Sequence, residues 1–205
     1  MMTNEHVDRF NAAAWEYTTD RYPVRSHCMR KVLDLLEPKN EDIVLDVGCG
    51  PGTQLIDLSI SIKFGYGIDP ALKMVSQAKR SAVRCPNIKF YVGSAEALPR
   101  QIKNVGIKKI ISNYALHHLP DTEKRNSIQC LSSLLPENGL LIIGDLMFSD
   151  DPDKHKDLFG VVGYGPGCDT PSQLSFLEDS FVKAGLSFCT HILNPLVAVI
   201  VGRKT

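Results

Sequence analysis

A chain of 205 residues with 43% apolar content is long enough for one domain built around one sizeable core. Its 23 Lys plus Arg balance 23 Asp plus Glu, which excludes the global positive field that holds a nucleic-acid backbone or an anionic membrane and favours a small neutral or zwitterionic ligand. The six cysteines, Cys28, Cys49, Cys85, Cys130, Cys168 and Cys189, are never closer than 21 positions, so the CxxC spacing of zinc and redox sites is missing, no metal is expected, and a reducing, cytoplasmic setting fits. The start MMTNEHVDRF has no basic stretch followed by an apolar core, and apolar runs such as 196–201 are too short to span a bilayer.

The first 40 residues read as a helical cover, with Phe10, Ala14 and Tyr17 on one face. From residue 43 onward, short β-branched runs alternate with helical periodicity, the pattern of right-handed βαβ units on a parallel sheet. Residues 43–47 form the first predicted strand, 52–61 a helix and 65–68 the second strand. A helix follows over 71–82 with Leu72, Val75 and Ala78 facing inward. Strands follow at 88–92 and 108–113. A helix over 121–135 turns Ile128, Leu131, Leu134 and Leu135 to the core and is stopped by Pro136 and Gly139. A fifth strand covers 140–145. The stretch 147–171 is polar and carries Gly160, Gly163, Gly165 and Gly167; it is longer than an ordinary connection and is expected to act as a lid. A helix over 172–184 closes at Gly185, and 186–192 with 197–202 form a final hairpin. The expected architecture is a single α/β domain over 1–205: a Rossmann-like, doubly wound, mostly parallel seven-stranded sheet ending in an antiparallel hairpin.

An open parallel sheet binds ligands at the carboxyl ends of its strands, where strand order reverses. The first strand ends in Asp46-Val47-Gly48-Cys49-Gly50-Pro51-Gly52, whose glycines let the backbone turn sharply and approach a ligand closely. A dinucleotide fingerprint needs its third glycine where Thr53 stands, and a phosphate loop needs Lys then Ser or Thr where Gln54 and Leu55 stand. Asp69 ends the second strand 17 positions beyond Gly52, where a carboxylate can accept from a ribose diol; with Pro70 behind it, it also reads as a helix N-cap. His117 and His118 follow the fourth strand, and an imidazole is the type of side chain that suits a general base near neutral pH, although adjacent side chains are expected to point apart.

These segments carry a resemblance. VLDVGCGPGTQ (44–54), GSAEALP (93–99) and ISNYALHHLPDTEKR (111–125) look like signatures of the class I S-adenosylmethionine (SAM)-dependent methyltransferases. The helix bearing Phe10, Ala14 and Tyr17 is similar to a segment of small-molecule members related to ubiquinone-biosynthesis enzymes, although Asn11 and Thr18 replace its aspartates. The resemblance implies a SAM site made by Asp46, Gly48, Cys49, Gly50, Gly52, Asp69, Met74, Ser94, Ala95, Glu96 and Asn113, with Tyr17 from the cover. Ser94 stands where many members have aspartate, so a charged acceptor becomes a hydroxyl. The resemblance further implies methyl transfer to a small-molecule acceptor, leaving S-adenosylhomocysteine, with the pair His117 and His118 as candidate base. Tyr114, His155 and Tyr164 are candidates for contact with the acceptor. A cytoplasmic monomer or homodimer, with no nucleic-acid or membrane partner, is the corresponding expectation. A non-catalytic SAM-binding protein and a nicotinamide-dependent oxidoreductase remain as alternatives. A metalloid-methylating reading would need cooperating thiols, for which Cys168 and Cys189 are the conceivable pair.

Overall fold

The computed structural model describes residues 4–14 and 23–205, and its framework is one mixed sheet flanked by helices on both faces. The strands are β1 (Ile43–Val47), β2 (Phe64–Asp69), β3 (Ile88–Val92), β4 (Lys109–Asn113), β5 (Leu140–Phe148), β6 (Ser172–Gln173), β7 (Leu186–Asn194) and β8 (Val197–Lys204). Their order is β3-β2-β1-β4-β5-β8-β7, with the two-residue β6 paired beside the end of β5. β1 to β5 run parallel, whereas β5, β8 and β7 pair antiparallel, as the predicted hairpin requires. Strand order reverses between β1 and β4, so their carboxyl ends flank a crevice at Val47 and Asn113.

The helices are α1 (Asn4–Ala13), α2 (Pro23–Leu36), α3 (Thr53–Leu58), α4 (Leu72–Ser81), α5 (Asp121–Leu134), α6 (Phe159–Val162) and α7 (Leu174–Lys183). Alternation along the strands sends successive residues to opposite faces. Val44, Ile111 and Ile142 pack with Val32 of α2, Leu55 of α3 and Val75 of α4. Leu45, Ile110 and Leu141 pack with Ile128 and Leu131 of α5 and Phe181 of α7. Because both faces are covered, β4 and β5 are buried along their whole length, and β5 reads as an apolar run broken only at Gly144 and Asp145. Each fully buried Leu or Ile contributes about 1.5–3 kcal/mol, so the two cores hold the sheet rigid beneath the crevice.

Several boundaries differ from the sequence reading, each for a local reason. α3 stops at Leu58 rather than residue 61, since the Ser59 hydroxyl donates back to the Ile56 carbonyl at 2.6 Å and competes with helix propagation. Ser172 and Gln173 are not helical: they pair in parallel with Met147 and Phe148, which also lengthens β5 beyond residue 145. The inward stripe of α4 is Met74, Val75 and Ala78, whereas Leu72 sits in the first turn and is 61% exposed. The predicted stop at Gly185 holds, with a left-handed φ of 71°. Among the described residues no helix is long and apolar enough to cross a membrane.

Candidate active site

The turn after β1 is shaped by backbone bonds that only small residues permit. Gly48 and Cys49 both donate to the Ile68 carbonyl (2.8 and 3.0 Å), which pins the loop against the end of β2. Gly48 has φ +73°, and a Cβ there would lie 2.4 Å from the Ala115 Cβ. Gly50 has φ +51° and faces open space, with no atom within 4 Å of its would-be Cβ. The first glycine therefore allows the loop to meet the turn after β4, and the second keeps a void free for a ligand.

That void is a cavity of about 420 Å³, within the range of small-molecule sites. It runs from Gly48, Cys49 and Gly50 past Asp69 and Met74, along Ser94, Ala95 and Glu96, and under Asn113, Tyr114 and His118. Val7 and Phe10 of α1 close it from above, and Phe10 packs with Ala14, Ala71 and Met74. Of the sequence-predicted SAM-site residues, Gly52 and Asp46 do not line it. Gly52 is the N-cap of α3, and a Cβ on it would strike the Phe90 ring at 2.5 Å, so its role is packing beneath the loop. Asp46 is 2% exposed, and its carboxyl has no hydrogen bond or ion pair among the described residues. Burial, and then the charge of Asp69, push it up to about 8. Tyr17 lies outside the described residues.

Asp69 is more heavily engaged than its sequence position suggested. Oδ2 accepts from the Gly50 amide (2.9 Å) and Oδ1 from the Ala71 amide (2.8 Å), while α4 begins at Leu72 with Ala71 as its N-cap. Asp69 is therefore not the N-cap. It clamps the glycine loop to the β2 turn, and each oxygen keeps a second lone-pair position for a diol. Burial raises its carboxyl, with the Gly50 and Ala71 amides opposing. Ser94 accepts through its hydroxyl from the Ala97 amide of its own loop at 3.2 Å, and it lines the cavity together with the buried Ala95 and the exposed Glu96.

On the other side of the crevice Asn113 donates to Gln54 Oε1 at 2.8 Å, which ties β4 to α3. Tyr114 is held at φ +48°, its hydroxyl has no hydrogen-bond partner among the described residues, and the Arg25 guanidinium lies 5.5 Å from its ring centroid. Burial raises the Tyr114 phenol and lowers the Arg25 guanidinium, and each is opposed by the other. Arg25, which also lines the cavity, is a residue that sequence reading passed over.

The two histidines do not point apart. The residues after Tyr114 form a 3-10 turn, Leu116–His118, rather than extended strand, so the rings lie side by side with centroids 3.9 Å apart. What fixes the turn is Asp145, near the end of β5 and 2% exposed. Its Oδ2 accepts from the amides of Ala115, Leu116 and His117 (3.2, 2.8 and 3.2 Å), and its Oδ1 accepts from Leu146 N at 2.8 Å and pairs with His117 Nδ1 at 2.5 Å. Burial would raise this carboxyl, but the His117 contact and the Leu146 amide outweigh it and hold it below the usual carboxylate range. His117 is thus a buried pillar that does not line the cavity, whereas His118 does. Burial and the neighbouring His117 bring His118 down to about 4, with Asp169 and Asp145 opposing, so its ring is neutral at physiological pH. Asp145 was legible as an anomaly: an acid in the otherwise apolar run LLIIGDLMF must have buried donors to satisfy it.

The 147–171 segment brings Asp169 to this turn and leaves the expected His155 and Tyr164 outside it. His155 Nε2 pairs with Asp150 at 3.1 Å, and Tyr164 packs edge-on against Phe148 and Phe159; neither lines the cavity. Cys168 and Cys189 are both exposed free thiols.

Residues 44–139 match a family profile described as a methyltransferase domain. An uncharacterized methyltransferase of Alkaliphilus oremlandii is 26% identical over 198 residues, covering 92% of this chain and 88% of its own length. Among solved structures, the DhpI-SAM-HEP complex superposes with a TM-score of 0.77 at 15% identity, over 99% of this chain and 98% of that one. Magnesium protoporphyrin IX methyltransferase from Synechocystis PCC 6803 with bound SAM gives 0.64 at 19% identity, over 89% and 79%. Fold, glycine loop and relatives agree: residues 44–139 carry a methyltransferase domain, and the chain is similar over nearly its whole length to methyltransferases, with the fold of SAM-dependent ones.

Proposed function

We propose that this cavity holds SAM against the 48–52 loop and passes its methyl group to a small molecule seated beneath α1, with His118 as the proton acceptor. The observation that carries the reading is the continuity of one void from Gly50, where no protein atom fills the space, past Asp69 to the His118 ring. The residues fit such a ligand. Asp69 offers its remaining lone pairs to a ribose diol, Met74 and Ala95 give an apolar wall for a purine, and Asn113 and Tyr114 border the opposite end. The buried Asp46 carboxyl beneath the loop, raised to about 8 without ligand, becomes the counter-charge for the ammonium of a methionine moiety once that cation draws off its proton.

SAM supplies a methyl group activated by its sulfonium, so the protein's work is alignment, exclusion of water and removal of a proton from the acceptor. Phe10 and Val7 exclude water from above, and Tyr114 walls the acceptor end. A neutral His118 can take a proton from a hydroxyl, thiol or ammonium acceptor, a role that contributes about 10²–10⁴-fold where it operates. The acceptor is small, since the described residues include no second domain to grip a macromolecule, and a cytoplasmic monomer or homodimer acting without nucleic acid or membrane fits the balanced charge.

The test is a screen of a metabolite extract with methyl-labelled SAM, followed by identification of the labelled product. Thermal shift with SAM and with NAD runs beside it: stabilisation by SAM is expected, and stabilisation by NAD alone would refute the site. His118→Asn is expected to retain SAM affinity and lose turnover on the identified acceptor, whereas full turnover would remove the base role.

A further inference from the structure

The strap that follows α6 is fastened to the histidine turn at one point. The Thr170 amide donates to the His117 carbonyl at 2.7 Å, and the Thr170 hydroxyl lies within hydrogen-bonding distance of the carbonyls of His117 (3.0 Å) and Leu119 (2.8 Å). The buried Lys124 of α5 locks the same point from below, donating to the Thr170 carbonyl and to Ser172 Oγ. This brings the Asp169 side chain, only 7% exposed, beside both imidazoles: Oδ1 is 3.1 Å from His118 Nδ1 and 3.9 Å from His117 Nε2. Asp169 Oδ2 accepts from the Gly165 amide at 2.8 Å, which folds the glycine-rich strap around the carboxylate. Helix α1 rests on the same place. His6 Nε2 is 2.9 Å from the Cys168 carbonyl, an Arg9 guanidinium nitrogen is 3.9 Å from Asp169 Oδ1, and the Phe10 ring meets the His118 ring edge-on at 5.1 Å.

We propose that Asp169 is the positioning residue for His118: by facing Nδ1 it selects the tautomer with the proton on that nitrogen and leaves the Nε2 lone pair as the proton acceptor, and it does so only when the 163–170 strap and α1 are seated. This rests on His118 being the base. The His118–Asp169 approach is close but not aligned as a hydrogen bond, the state expected of a base whose contacts tighten on substrate binding. In turnover the acceptor's lone pair forms the new bond to the methyl carbon, the carbon–sulfur bond breaks with its electrons going to sulfur, and the acceptor's proton passes to His118 Nε2. The imidazolium so formed carries Nδ1–H against the Asp169 carboxylate, which stabilises the charge only in the closed arrangement. The charged and titratable groups facing His118 are His117 from its own turn, Asp145 from β5, Asp169 from the strap, and His6 and Arg9 from α1. Asp145 is occupied by His117 Nδ1, which leaves Asp169 as the carboxylate in contact with His118. Burial would raise the Asp169 carboxyl, but His118, the Gly165 amide and His117 bring it below its usual range, so it is an anion at neutral pH.

The same three groups, His117, His118 and Asp169, present ligand atoms within 4.8 Å of one another, and a divalent cation is the competing occupant; Arg9 beside Asp169 opposes it. The test needs no acceptor. Imidazole ¹⁵N shifts of the ligand-free full chain at pH 7.5 report which nitrogen of His118 carries the proton. The wild type is expected to show Nδ1–H, Asp169→Asn a population moved toward Nε2–H, and Asp169→Glu a return toward the wild-type pattern. Hydrogen exchange of 163–170 is expected to rise in Asp169→Asn. The same tautomer in wild type and Asp169→Asn would overturn the positioning role while leaving the base role standing. A His118→Asn enzyme with full turnover would instead remove the base role, whatever the tautomer. Addition of ZnCl₂ is expected to leave the spectra unchanged; tight Zn²⁺ binding that shifts both histidines and is lost in Asp169→Asn would overturn the proposal in favour of a metal.

Discussion

Replacing Asp145 by asparagine probes the support of the site with almost no change in volume. The carboxylate is 2% exposed and serves four backbone amides as well as His117 Nδ1. The amide side chain keeps one acceptor oxygen and places an NH₂ where the second oxygen met its donors, so either His117 or the three amides of the turn face a donor. A buried donor left unsatisfied costs about 1–3 kcal/mol, and loss of a buried charge-assisted network costs about 3–5 kcal/mol. We expect Asp145→Asn to lose about 2–4 kcal/mol and Asp145→Ala about 3–5 kcal/mol of an overall stability on the order of 5–15 kcal/mol. For a domain of this size the asparagine variant's melting midpoint should fall by about 4–16 °C, and urea unfolding gives the free energy directly. The pH dependence is a second signature. Because the folded-state carboxyl lies below its unfolded value of about 3.9, its contribution is fully present above that value and is lost as pH falls through the folded one. The gap between wild type and Asp145→Asn should therefore be constant above about pH 5 and narrow on acidification below about pH 4. An asparagine variant within about 0.5 kcal/mol of wild type at pH 7, with an unchanged acid limb, would refute the assignment of Asp145 as the anchor of the histidine turn.

Gly50→Val places a β-branched side chain at φ +51° and fills the open space in front of the loop; it should lower SAM affinity at least tenfold, read by calorimetry, with the far-UV spectrum preserved. Asp46→Asn removes a buried carboxyl raised to about 8, whose contribution to the ligand-free wild type is lost as pH rises from about 4 to about 8. The asparagine variant lacks that loss, so its stability relative to wild type should rise across the window while it binds SAM more weakly; a difference that stays constant from about pH 4 to about pH 8 would count against the buried acid. Lys124→Met removes the cation that joins Asp121, Thr170 and Ser172, so hydrogen exchange of 169–173 should rise while the central strands keep their protection.

Much of the frame follows from periodicity, because β1, β4 and β5 are buried on both faces and the apolar residues in them admit few other arrangements. The glycine loop was legible for a related reason: a spacing that forbids side chains at Gly48 and Gly50 is a constraint on shape, and shape is what a local sequence records. The pairings that build the reactive end are non-local and left only indirect marks. Asp145 and His117 are 28 positions apart, and His118 and Asp169 are brought together by a strap whose sequence shows glycines but not where they fold. The same limit separates residues within one segment. Tyr164 and Asp169 belong to one stretch, yet Tyr164 packs outward on Phe148 and Phe159 while Asp169 reaches the histidines, because Gly163 at φ +77° and Gly167 at φ +87° reverse the chain between and around them. Even the adjacent histidines obtain different roles from tertiary structure. Asp145 buries one ring as a pillar of the turn, and the second ring, tilted against it, is left as the one that meets the cavity. Reactivity at this site is therefore set by which carboxylate reaches which imidazole, and that choice is made by the folding of the strap and the cover rather than by the HH motif itself.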